Sequence, residues 1–238
     1  PGLVLGLADR LDSLAGLFAA GLAPTGSKDP FAQRRAALGL VSNLIAWDVD
    51  LDLSFALEAA IQDLPIKIST DNREACVGFI KDRLHNYLRD EGFAYDVVDA
   101  IVSAQGQNPA SAYRAIKVLT EWVQKDDWEL TLDSFARCVR ITRDLDTHFA
   151  VDEARLIEKE EKKLWKAVAK AGAADRAPGN LENFFDLFVP LVPLITDFFD
   201  NVLVMDEDQQ TQENRLGLLQ AISDLAEGTL DMTRLEGF

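Results

Sequence analysis

Two apolar stripes joined by an acidic turn constrain this chain more than any other feature. The stretch Pro193–Leu219 reads PLITDFFDNVLVMDEDQQTQENRLGLL. Leu194, Ile195, Phe198, Phe199, Val202 and Leu203 recur at helical spacing, which predicts a helix with a broad buried face. Leu216, Leu218, Leu219 and Ile222 repeat the pattern. The polar run Asp206–Gln212 lies between them, and its carboxylates suit the positive N-terminus of the second helix. A helical hairpin follows.

The rest of the chain reads the same way. Periodic apolar residues predict helices over Gly2–Ala20, Pro30–Trp47, Asp52–Leu64, Asp71–Asp90, Tyr95–Ala104, Ala110–Val123, Thr131–Leu145, Ala150–Ala171 and Leu181–Val204. Asp29, with Pro30 behind it, reads as a helix start, and Asp71 as a cap. Pro190 and Pro193 predict a kink or break in the last of these helices. No segment reads as a strand and no fixed-period repeat appears, so the expected class is all-α. Lys125-Asp126-Asp127 reads as a turn near a domain boundary. The expected division is 1–47, a helical connector over 48–126, and a helical bundle over 127–238.

The net charge is −16 over 238 residues. Phosphates are repelled by such a chain at long range, so any nucleic-acid role must rest on a local basic patch. Cys76 and Cys138 lack CxxC partners, and His85 and His148 stand alone, which argues against zinc or a catalytic triad. No apolar run is long enough for a membrane span, and no secretory leader is visible. The start at Pro1, in apparent mid-helix, reads as that of a fragment.

Three polar constellations stand out. Arg137, Arg140 and Arg143 recur every three residues in SFARCVRITRDL, along one side of a helix. They form either a solvated face paired with Asp133, Asp144 and Asp146, or a basic stripe able to grip phosphates or stack on unpaired bases. Asn201, Asn214 and Arg215 flank the hairpin turn and either read a base edge or brace the hairpin, with Asp197 or Asp200 as partners for Arg215. Lys28 and Arg34 either contact phosphates or sit in a solvated face, and Arg35 is expected in an internal ion pair. Asp9 and Asp12 read as surface carboxylates near Arg10. EKEEKKLWK, Glu158–Lys166, reads as a solvated helix without chemistry, and Trp165 as core.

Both ends of the sequence carry a resemblance. PTGSKDPFAQRRAALG, Pro24–Gly39, is similar to a motif of the β subunit of bacterial-type glycyl-tRNA synthetase, with Gln33 where that family has Leu. ADRLDSL before it resembles the last helix of that subunit's HD-like domain, where an Asp at the position of Asp9 would complete a metal site. The histidines of such a site are missing here. FFDNVLVM, the acidic run and NRLGLL resemble the family's C-terminal anticodon-binding domain, and the final LEGF resembles the LPGF tail of cyanobacterial and plastid-type members. The turn DEDQQTQE departs from the family, which carries basic residues there.

The resemblance implies the end of an HD-like domain, a helical connector and an anticodon-binding bundle. It implies Arg137, Arg140, Arg143, Asn201, Asn214, Arg215, Lys28 and Arg34 as RNA-binding residues, with no catalytic or metal residue. Implied partners are glycine tRNA and a separate or fused α subunit, with no membrane. ATP and magnesium serve the holoenzyme, with no cofactor on this segment. The implied compartment is the cytoplasm, with plastid or mitochondrion as the alternative. The competing reading is an acidic, RNA-blind scaffold for protein partners.

Overall fold

A computed structural model describes residues 2–238. Among them there is no β-strand, only an isolated bridge between Thr25 and Lys28, and the fold is all-α. The chain forms two compact units, Pro1–Lys117 and Val118–Phe238.

The first unit is built from α1 (Gly2–Ala19), α2 (Gln33–Ala46), α3 (Leu53–Gln62), α4 (Thr70–Asp90), α5 (Tyr95–Gln105) and the start of α6 (Pro109–Trp122). α1 packs on α2, α3 and α4, and α4 packs on α5. Leu11, Leu14, Phe18, Leu40, Leu44, Leu57, Ile80 and Leu84 are the buried stripes that these helices share. The helices on both sides of residue 47 therefore close one core.

α2 begins three residues later than the sequence predicts. The Asp29 carboxylate accepts from the backbone N–H groups of Gln33 and Arg34, and Ala32 adopts a left-handed φ of 55°, which interrupts helical bonding through Pro30. Phe31 and Leu38 are exposed. Gln33 is fully buried, and its Nε2 donates to the Leu22 carbonyl at 2.7 Å. The amide in place of leucine thus ties α2 to the chain leaving α1. α4 is capped by the hydroxyl of Ser69, which accepts from Asn72 N–H, rather than by Asp71.

The second unit holds α7 (Trp128–Thr142), α8 (Lys159–Gly172), α9 (Leu181–Phe188), α10 (Val192–Asn201) and α11 (Gln209–Ser223). α7 packs on α10 and α11, and α8 on the same two helices. Phe135, Phe184, Phe185, Phe188, Phe198, Leu218 and Ile222 fill the core. The Trp122 ring stacks on Phe185 with centroids 4.3 Å apart.

Leu181–Val204 breaks rather than bends. A 3-10 turn, Val189–Leu191, separates α9 from α10, and Pro190 and Pro193 each sit in a first turn, where a missing N–H costs nothing. α10 stops at Asn201, because Val202 is extended. Leu203 consequently points outward, 68% exposed, against the expectation of burial. Asp208 caps α11, accepting from Thr211 N–H at 2.8 Å.

The predicted helix over Ala150–Ala171 forms only from Lys159. Residues 147–158 are irregular apart from a 3-10 turn, Glu153–Arg155. α11 side chains take up the backbone groups that a helix would have used. Gln220 accepts from Phe149 N–H and donates to Thr147 O, both at 2.9 Å. Asn214 accepts from Asp152 N–H at 2.7 Å and donates to Asp152 O at 3.2 Å. Between them Gly217 lets the strap touch the helix: an added Cβ would lie 2.6 Å from the Phe149 carbonyl oxygen. Three residues spaced three apart on α11 thus form the bed for this strap.

Candidate nucleic-acid interface

α7 carries the predicted arginine stripe, and the three side chains meet different surroundings. The Arg137 guanidinium lies over the Phe199 ring of α10, 4.2 Å from its centroid. Arg140 lies over the C-terminal Phe238 ring at 5.5 Å and 3.7 Å from Asp133. Arg143 closes the helix at the surface, 3.7 Å from Asp144. Arg140 and Arg143 are solvent-exposed, so their ion pairs are weak and leave both charges accessible. Arg137 is half-buried against that ring.

Asn201 is exposed at the end of α10 and donates to the Asp197 carbonyl. Asn214 and Arg215 take different places from those the RNA reading gave them. Asn214 is buried in the strap contact. Arg215 is buried too, with a 5% exposed side chain against Glu161 at 1%. Its Nε donates to Glu161, and its Nη1 donates to Asp206 at 2.6 Å and to the Leu203 carbonyl at 2.7 Å. Neither Asp197 nor Asp200 is its partner. A guanidinium enclosed in this way braces the hairpin and is out of reach of RNA.

In the first unit, Arg34 donates to the Gly26 carbonyl and closes the loop before α2. Lys28 is exposed beside it. Arg35 is exposed, and no ion pair holds it among the described residues, contrary to the expected internal pair. Arg10 donates to the Gly6 carbonyl and lies against Gly39, whose added Cβ would be 2.8 Å from Arg10 Nε.

The acidic turn is internally organised. The Thr211 hydroxyl and backbone N–H hold the Asp208 carboxyl below the usual carboxylate range. Asp206 is lowered by the Asp208 N–H and by Arg215. Cys76 and Cys138 are buried free thiols, each pushed up to about 12 by desolvation, which makes them poor nucleophiles. Among the described residues no group of three metal-binding side chains gathers. No helix among them is long and apolar enough to cross a membrane.

One basic face escaped the sequence reading. EKEEKKLWK reads as mixed charge, but folding separates the signs. Lys159, Lys163, Lys166 and Lys170, with Lys162 beside them, fall within an arc of about 100° on α8. All are exposed, and no ion pair holds any of them among the described residues. Glu161 points the opposite way, into the core. Plotting each sign separately on a helical wheel would have found this face. Trp165, expected as core, is half-buried, and its Nε1 donates to Glu153 at 2.9 Å.

Residues 1–103 match the family model described as glycyl-tRNA synthetase beta subunit, and residues 131–236 match the DALR anticodon binding domain. Curated relatives run through both segments and the stretch between them. The chain is 34% identical over 239 residues to the chloroplastic/mitochondrial glycine–tRNA ligase 2 of Arabidopsis thaliana, covering 100% of this chain and 22% of that protein. It is 32% identical over 243 residues to the glycine–tRNA ligase beta subunit of Clostridioides difficile, covering 98% and 35%. The identity to the beta subunit of Moorella thermoacetica is also 32%, over 246 residues and with the same coverage.

The chain belongs to the glycyl-tRNA synthetase β-subunit family.

It spans about a third or less of the length of these relatives. Within the family it corresponds to the C-terminal region with the DALR domain. Similarity is continuous, not confined to the two ends where the motifs are visible by eye. The DALR match lies wholly within the second unit, Val118–Phe238. The arginine stripe, the strap and the lysine face therefore all belong to the anticodon-binding part of the family.

Proposed function

We propose that this chain is the tRNA-binding, anticodon-arm portion of a glycine–tRNA ligase β subunit. It supports ATP-dependent ligation of glycine to tRNA, a reaction carried out by the α subunit. The observation that carries this reading is the coincidence of the DALR match, 131–236, with one compact unit. That unit presents Arg137 and Arg140 on aromatic rings at its surface. A guanidinium resting over an aromatic ring is restrained there and keeps N–H groups for an unpaired base or a phosphate of an anticodon loop. The RNA contacts assigned to this unit are Arg137, Arg140, Arg143 and Asn201, and those assigned to the first unit are Lys28 and Arg34.

Partners on this reading are glycine tRNA and an α subunit, separate or fused, which holds ATP, magnesium and glycine. This segment itself holds no cofactor. The proposed compartment is the cytoplasm, with plastid or mitochondrion as the alternative that the name of the Arabidopsis relative supports. The proposed organisation is the end of an HD-like domain, a helical connector and the anticodon-binding bundle.

The test is a fluorescence-anisotropy titration of the assembled full-length enzyme. The probes are a tRNA transcript with a glycine anticodon and the same transcript with that anticodon replaced. Binding is expected to favour the first, and Arg137→Ala with Arg140→Ala is expected to weaken it about tenfold, the equivalent of one lost base contact. Equal binding of both transcripts, and by parent and variant alike, would overturn the reading.

A further inference from the structure

We infer that the outer face of α8 is the surface that grips the tRNA phosphate backbone, apart from the groups that read anticodon bases. The inference rests on the tRNA reading above. Lys159, Lys163, Lys166 and Lys170 recur at almost every turn, so the row places a cation about every 5 Å over a length of about 16 Å. Such a row matches a run of phosphates on one strand. Lysine is a strongly hydrated point charge without a planar fork, which suits backbone contact rather than base reading.

The carboxylates of the same segment are kept off this face. Glu161 is buried and held by Arg215 on α11. Its Oε2 also accepts from the N–H groups of Ile157 and Glu158, at 2.7 and 2.9 Å, at the start of α8. Glu153 accepts from Trp165. Glu160 is half-buried on another side of the helix. Glu158 is exposed at the N-cap, before the row begins, so from Lys162 to Lys170 the outward face carries a single sign.

This arrangement reconciles RNA binding with a net charge of −16. At physiological ionic strength, charges more than about 8 Å apart are largely screened. A phosphate in contact with α8 therefore responds to the lysines beside it and little to carboxylates elsewhere. Binding through this face is indifferent to base sequence and steeply dependent on salt.

The test compares two triple variants of the assembled full-length enzyme, K163Q/K166Q/K170Q and K163R/K166R/K170R. Both tRNA transcripts named above are titrated by anisotropy across a potassium chloride series. The Gln triple is expected to weaken both transcripts by the same factor, about tenfold at moderate salt. It is expected to flatten the slope of log affinity against log salt by about 2 to 3, since each contact contributes about 0.7 to 0.9. The Arg triple is expected to keep both affinity and slope. Should the Gln triple melt early, Lys166→Gln alone decides the matter, with a slope change of about 1. Unchanged affinity and slope overturn the inference. Loss of subunit assembly by light scattering, with tRNA binding intact, also overturns it and makes the face a protein contact. Indifference of the parent enzyme to the anticodon swap counts against the anticodon reading alone, because the lysine variants are still judged on backbone affinity.

Discussion

Arg215 of α11 and Glu161 of α8 form an ion pair inside the second unit, with side chains 5% and 1% exposed. The charge is embedded further by Asp206 and the Leu203 carbonyl, so one guanidinium joins α8, α11 and the chain leaving α10.

Truncating Arg215 to Ala leaves Glu161 buried beside a cavity. Loss of one partner of such a pair costs about 3–5 kcal/mol. Arg215→Ala is therefore expected to lower the unfolding free energy by that amount, read as a fall in the urea midpoint with little change in the denaturant slope. Arg143→Ala, at the exposed end of α7, is expected to cost less than about 1 kcal/mol. Equal midpoints for the two variants would contradict the buried geometry.

Gly217→Ala sets two effects against each other. Alanine favours the helix by about 1 kcal/mol over glycine. Its Cβ, however, would meet the Phe149 carbonyl oxygen at 2.6 Å, and that neighbour is backbone that two α11 side chains clamp in place. Steric cost, about 1–3 kcal/mol, is expected to win. Hydrogen exchange should locate the damage: the amides of Phe149 and Asp152 are expected to lose protection before those of α11. Asn214→Ala, which removes the acceptor of Asp152 N–H, is expected to release the Asp152 amide in the same way.

Acid should loosen the hairpin turn. The Asp208 carboxyl is held below its ordinary value of 3.8 by hydrogen bonds from the Thr211 hydroxyl and backbone N–H. A lowered folded value means that the ionised group is favoured by folding. Its contribution is fully present above about 3.8 and is lost as pH falls through the folded value. Asp206, lowered by the Asp208 N–H and then by Arg215, acts in the same direction. Melting temperature is expected to fall as pH is lowered below about 4, and less steeply in Asp208→Asn, which still caps the helix.

Which parts of this were legible in the sequence follows from the range of the forces involved. Helical periodicity reports burial over neighbouring turns, so α1, α4, α5 and α6 appear close to where they form, while α7 starts and ends three residues earlier than expected. The prolines at 190 and 193 announced their break because their effect is local. The strap at 147–158 did not show itself, since its backbone groups are taken up by Asn214 and Gln220, over 60 residues away. A separation of 54 residues hid the partner of Arg215: bracing the hairpin was one of its two readings, but its buried partner is Glu161, where the reading looked to nearby Asp197 and Asp200. In the candidate site, the stripe Arg137–Arg140–Arg143 was legible from spacing, but the rings under two of its members were not. The lysine face was concealed by averaging, because residues adjacent in sequence lie about 100° apart on the helix and the carboxylates fall beside or opposite the lysine arc.

A helix has a single rotational phase, so holding one residue inward aims every other. Glu161, captive between the first turn of α8 and Arg215, acts as the key in a shaft and sets the orientation of the lysines after it. One residue inserted between Glu161 and Lys163 would swing the row by about 100°, toward the interior, with no lysine deleted. The charge that faces outward on this acidic chain is thus aimed by one buried acid.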